Sequence, residues 1–190
     1  VAKQVADLTL AEITKLLENK IHECRLTALI ILVAQFRCAD EKGRARIVKF
    51  YLTHTKCINN WDLVDVSASA ILGTHLLMRK QNILFKLVKS KNMWERRIAI
   101  VATHALIRIG DTKDALKLSE MLLRDKEDLM HKAVGWTLRE VGKQSRHTLV
   151  NFLKKHAHHM PRTALRYSIE HFSDIERKKF MGMKSLVETV

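Results

Sequence analysis

The sequence predicts an all-α fold built from stacked helix pairs, and three observations carry that expectation. Proline occurs once and glycine six times in 190 residues, too few to serve the turns of a β-protein. Apolar residues make up 47% of the chain and recur at helical spacing. Helix-start signals, an N-capping residue followed three positions later by glutamate, recur at Thr9–Glu12, Asn92–Glu95 and Ser173–Glu176.

Taken in order, Val1–Ala6 reads as the tail of a helix already under way. Thr9 then opens a short helix to about Asn19. Residues 22–37 form a longer one, with Leu26, Leu29, Ile30, Val33 and Phe36 on a single stripe. A basic helix over 41–53 carries Lys42, Arg44, Arg46 and Lys49, and Thr53–Asn60 is a polar link. Asn60 caps a helix that begins at Trp61 and runs to about Met78, bending near Gly73. Residues 81–89 make a short amphipathic partner. Asn92 opens a helix to Ile109, Asp111 caps one over 112–124, and others span 126–141 and 145–156. Pro161 suits the first turn of the next helix, which needs no N–H there, and Ser173 opens the last.

A weak internal repeat runs through these pairs. Leu72-Gly73, Ile109-Gly110 and Val141-Gly142 each close an Ala-containing helix. A helix-only period of this length suits a HEAT-like α-solenoid, whose curve gives one concave face; a non-repetitive helical bundle is the alternative.

Charge and cysteine usage narrow the function. The formal net charge is +14, with 34 Lys+Arg against 20 Asp+Glu, and the excess is spread evenly rather than held in a tail. Such a balance suggests a polyanionic partner, nucleic acid first, on a basic concave face. No stretch approaches the roughly 18 apolar residues of a membrane span. Cys24, Cys38 and Cys57 have neither zinc spacing nor an even count, so they read as reduced thiols of a cytoplasmic protein. His156-Ala157-His158-His159 lies between helices without a nearby Cys or carboxylate and reads as a solvated turn, so no metal site is expected. There is no Gly-rich phosphate loop, no dinucleotide fingerprint and no defensible Ser-His-Asp order, and no cofactor is expected.

Two stretches carry possible chemistry. Trp61 and Asp65 are one helical turn apart and share a face with Ala68 and Leu72. A carboxylate at the margin of an apolar face is costly unless it is paired, hydrated or used. Trp136 follows Gly135, which leaves open space near the indole, and Arg139 lies one turn on. An indole on its own is more often core than site. Two indoles, an acid and an arginine on successive helices of one solenoid are harder to dismiss.

Four segments in order, Asn60–Asp65, Trp94–Ile100, Lys132–Glu140 and Arg162–Tyr167, resemble the successive motifs of the DNA alkylation repair family, the AlkD-like alkylpurine DNA glycosylases. The resemblance runs from near residue 1 to about 180. It implies a HEAT-like solenoid that binds duplex DNA on its concave face and excises cationic N3- or N7-alkylated purines. It implies that Asp65, Trp61 and Trp136 occupy active-site positions. Arg97 matches the motif arginine, and it is expected to contact the DNA backbone together with Arg139, Lys143 and Arg162. The implied protein is a monomer, 1–190 as a single domain, that starts one helix pair later than members of the family do. It would act in base excision repair on double-stranded DNA with alkylated bases, away from membranes, and associate with the nucleoid through DNA.

The residues suit such chemistry in their own terms. A cationic purine is already a good leaving group, so no general acid is needed. A fixed carboxylate stabilises the sugar cation and positions water, and indole faces attract cations. No lysine lies in the Trp61–Asp65 motif, which points to simple hydrolysis without a Schiff base. Whether the lesion flips out or stays stacked is open. The competing expectations are a non-catalytic HEAT-repeat module that binds nucleic acid through the same basic face, and a protein-interaction scaffold, which +14 suits poorly.

Overall fold

Reciprocal capping by Thr9 and Glu12 starts the first helix of the computed structural model, which describes residues 8–183. Among the described residues eleven α-helices follow one another: α1 (Leu10–Leu17), α2 (His22–Cys38), α3 (Glu41–Thr53), α4 (Trp61–Ser67), α5 (Asn82–Leu87), α6 (Met93–Arg108), α7 (Lys113–Leu122), α8 (Asp128–Gln144), α9 (Arg146–His156), α10 (Arg162–Ser168) and α11 (Asp174–Met181). A 3₁₀ turn over Thr55–Cys57 precedes α4, and a π-helical turn over Ser69–Gly73 continues it. Among the described residues there is no strand, and no helix is long and apolar enough to cross a membrane. The helix tail expected over Val1–Ala6 lies outside the described residues.

The even-numbered helices form one continuous row. α2 packs on α4, α4 and the π turn on α6, α6 on α8, and α8 on α10. The odd-numbered helices lie against this row: α1 on α2, α5 on α6, α7 between α6 and α8, α9 on α8, and α11 on α10. This two-layer arrangement is compatible with a helical solenoid. One main core, from Ile13 to Phe180, runs along it. α6 is its centre, buried from Arg97 through Ile107.

Several sequence expectations shift for physical reasons. Ile30 is 42% exposed, because α2 turns Ala28, Leu29, Ile31, Leu32, Val33 and Phe36 inward instead. The capping box expected at Asn92 does not form. Asn92 caps the Trp94 N–H, while Glu95 accepts a 2.7 Å hydrogen bond from Thr55 on the 3₁₀ turn. Of the three repeat glycines, only Gly110 ends a helix through a left-handed backbone, with φ of +87°. Gly73 ends the π turn instead, where a Cβ would lie 2.2 Å from the Ala102 carbonyl oxygen of α6. Gly142 sits inside α8 against Leu149. Gly135 leaves no space beside Trp136: α10 fills it, and a Cβ there would meet Tyr167 Cβ at 2.5 Å and the Ala164 carbonyl at 2.6 Å.

Candidate functional site

Asn60 has extended backbone angles, and its side-chain oxygen accepts the Trp61 N–H at 2.8 Å. This fixes Trp61 as the first helical residue of α4, with the residue 52% exposed. One turn further, Asp65 faces α6. Arg97 of α6 grips it with two parallel hydrogen bonds, Nε to Oδ1 at 3.0 Å and Nη2 to Oδ2 at 2.9 Å. The third guanidinium nitrogen donates to the Leu129 carbonyl of α8 at 2.7 Å. One planar cation therefore ties three helices of the row together. Only 5% of Arg97 is exposed, and a buried charge is tolerable there because its donors are satisfied.

Asp65 keeps 19% of its side chain exposed. Burial raises its pKa above the ordinary carboxylate value, against the opposing pull of the Arg97 hydrogen bonds and charge. Its open side meets a cleft of about 530 Å³, lined by Phe36, Arg37, Arg44, Val66, Ser69, Ala70, Thr74 and Arg108 besides Asp65. Arg44 donates to the Phe36 and Arg37 carbonyls, both at 3.2 Å, with its guanidinium over the Phe36 ring. Arg108 donates to Ser69 Oγ at 2.9 Å. Ser69 is one turn beyond Asp65, at the start of the π turn. Such single wide turns are frequent at functional sites.

A second cluster surrounds Trp136 on α8. The indole is half-buried and meets the His104 ring edge-on, with centroids 4.4 Å apart and planes at 88°. Its N–H donates to Glu140 Oε1 at 3.2 Å. His104 shares a 2.9 Å hydrogen bond with Thr137, and burial pushes its pKa down to about 4, so the ring is neutral at neutral pH. Glu140 also accepts from Lys143 at 2.8 Å and lies 3.8 Å from Arg139 Nε. Burial alone would raise the Glu140 pKa, but the Lys143 hydrogen bond and charge prevail and hold it below the ordinary value. Arg139 donates to Glu170, and the exposed Arg162 donates to the Met181 carbonyl.

The structure thus joins Asp65 to Arg97 directly. It sets Trp136, Arg139 and Lys143 in a neighbouring cluster, reached through α6. Arg97, His104 and Arg108 lie seven and four residues apart, on one face of α6, and each meets a different part of the row. Neither Trp61 nor Trp136 lines the Asp65 cleft. Arg97 is held inside and is not presented to solvent as a surface cation. Sequence reasoning did not single out Arg37, Ser69, His104, Arg108 or Glu140. For His104 and Arg108 the signal was available, as the helical spacing from Arg97. Arg37 and Ser69 come to the cleft only through tertiary packing. At the far end, His156 stacks on Phe152 and meets His159. Among the described residues, no group of three His, Cys, Asp or Glu is placed to hold a metal.

Residues 1–172 match the family described as DNA alkylation repair enzyme. Among solved structures, a predicted DNA alkylation repair enzyme from Enterococcus faecalis superposes with a TM-score of 0.68 at 15% identity, covering 91% of this chain and 81% of that one. At that identity the likeness concerns the fold. No curated protein gives a match.

Proposed function

The chain belongs to the DNA alkylation repair enzyme family, and from that premise we propose that it is a monofunctional DNA glycosylase, hydrolysing the N-glycosidic bond of cationic N3- or N7-alkylated purines in duplex DNA. The observation that supports this most is a carboxylate, Asp65, held rigidly by Arg97 at the edge of an arginine-lined cleft.

The reaction needs little proton chemistry. As the C1′–N bond breaks, its electron pair goes to the purine and cancels the ring's positive charge. C1′ becomes cationic, water adds to it, and the water proton leaves to Asp65 or solvent. A carboxylate about 4 Å from that cation stabilises it by about 4 kcal/mol at an effective dielectric of about 20. Arg97, behind the carboxylate, offsets part of this but keeps Asp65 ionised and oriented. Asp65 therefore acts chiefly as a fixed dipole and a water-positioning group. Trp61 and Trp136, which lie outside the Asp65 cleft, are assigned as aromatic walls of the path that DNA takes over α4 and α8, where an indole face attracts a cation by about 0.5–2 kcal/mol. Arg139, Lys143 and Arg162 are assigned to backbone phosphates. Arg97 moves from phosphate contact to support of Asp65, since all its nitrogens are engaged inside.

Methylated duplex DNA incubated with the protein tests the proposal, with released methylpurine as the readout. Asp65→Asn should lower the single-turnover rate about 10²–10³-fold, the loss of roughly 3–4 kcal/mol of charge stabilisation, while DNA binding is kept. Equal release by Asp65→Asn removes the assigned role of the carboxylate. No release by the folded wild-type protein leaves a non-catalytic nucleic-acid-binding module.

A further inference from the structure

Among the described residues, six of the fourteen arginines lie within 4.0 Å of an acid. Arg79 pairs with Glu41, Arg96 with Asp125, Arg97 with Asp65, Arg139 with Glu170, Arg146 with Glu176 and Arg177 with Asp174. The others do not, and three of those others meet in the Asp65 cleft. Among the described residues, Arg37, Arg44 and Arg108 have no carboxylate within 4.0 Å. Two of them are nonetheless fixed, by neutral acceptors: Arg44 by two backbone carbonyls and Arg108 by the Ser69 hydroxyl. Neutral partners orient a guanidinium without cancelling its charge, and they leave other N–H groups free to donate. The one acid lining this cleft, Asp65, is already compensated by Arg97. Three positive charges therefore converge without local compensation on a space of about 530 Å³.

We infer that Arg37, Arg44 and Arg108 form a binding site for DNA-backbone phosphates beside Asp65. This rests on the proposed action on DNA and adds the direction from which the strand approaches the carboxylate. Guanidinium forks match phosphate oxygens, and an arginine held in place loses little freedom on forming those bonds. Occupation has a second effect. Three free cations near Asp65 oppose the growth of positive charge there, and a bound phosphate cancels that opposition. The cleft favours a sugar cation only after the backbone has docked.

The test is equilibrium binding of a short unmodified duplex across a salt series, alongside base release from the methylated duplex. Arg37→Gln and Arg108→Gln should each weaken binding several-fold. Each should also flatten the slope of log K against log [salt] by about 0.9, the signature of one lost phosphate contact. Arg37→Lys should restore the slope, and Lys117→Gln on α7 should leave both quantities unchanged. Arg37 makes no side-chain hydrogen bond among the described residues, so its replacement reads binding even if Arg108→Gln disturbs the fold. Unchanged affinity and slope in Arg37→Gln and a folded Arg108→Gln overturn the site, even where wild type releases base. Weakened binding with a flattened slope upholds it, even where wild type releases none and the glycosylase assignment falls.

Discussion

Arg97→Met is the perturbation with the most to say about this protein. Methionine approximates the length of the arginine stem without its charge. The change removes two hydrogen bonds to Asp65 and one to the Leu129 carbonyl. It leaves a carboxylate only 19% exposed without its cation. Removing one partner of a buried pair costs about 3–5 kcal/mol. That cost should depend on pH in a definite direction. The folded-state pKa of Asp65 is already raised by burial, and without Arg97 it rises further. Between the unfolded value, near 3.8, and the raised folded value, the native state binds more protons than the unfolded one. Native stability then falls as pH rises through that window, more steeply in the variant. The deficit is therefore full above the variant's Asp65 pKa and shrinks as pH falls, since protonation removes the uncompensated charge. Urea denaturation of both proteins at a series of pH values measures it, with an unchanged m-value showing that the same surface is exposed. A deficit below about 1 kcal/mol at pH 7, or one that does not vary with pH, would refute the buried-pair argument. Adding Asp65→Asn to Arg97→Met should recover part of the loss, because no charge is then stranded.

Three further outcomes are expected. His104 has a folded pKa of about 4 against 6.5 unfolded, so its neutral burial contributes stability present above about pH 6.5 and lost as pH falls toward 4, on the order of 3 kcal/mol; His104→Gln should flatten that acid limb in denaturation curves. Gly135→Ala should cost about 1–3 kcal/mol or more, read as a lower urea midpoint, because its Cβ meets the backbone of α10. Glu170→Gln should change stability by no more than about 0.5 kcal/mol, since the pair is on the surface, yet tighten binding to unmodified duplex by freeing Arg139.

What was legible in the sequence was local. Both capping boxes that form, at Thr9 and Ser173, close on residues three positions apart at exposed helix starts, where little competes. The third fails because Thr55, distant in sequence, takes Glu95. The order of helices followed from capping and apolar spacing, and so did the face shared by Trp61 and Asp65. The partner of Asp65 was not legible, because Arg97 reads as an ordinary surface cation until α6 is seen to be covered from every side. A hint was present: Arg97 opens an unbroken run of small and apolar residues, Ile98–Ala102, and a helix that apolar is buried. Gly135 was misread for a related reason. The local sequence shows a missing side chain, and only the packing of α10 shows what replaces it.

Burial sorts the ion pairs of this row into permanent and exchangeable ones, and the sorting bears on how DNA would engage it. Arg97 and Asp65 are 5% and 19% exposed, so parting them strands a charge away from water. Arg139 and Lys143 are held by acids too, but Glu170 is half exposed and Glu140 faces two cations at once. A phosphate that replaces Glu170 at Arg139, or Glu140 at Lys143, returns a carboxylate to solvent or to another cation at small cost. Under the proposed function, phosphates then compete for Arg139 and Lys143, meet no acid at Arg37, Arg44 and Arg108, and leave Arg97 alone. A salt-dependent affinity drawn from the first two groups, with a pH-dependent stability drawn from the third, is what that division of charges requires.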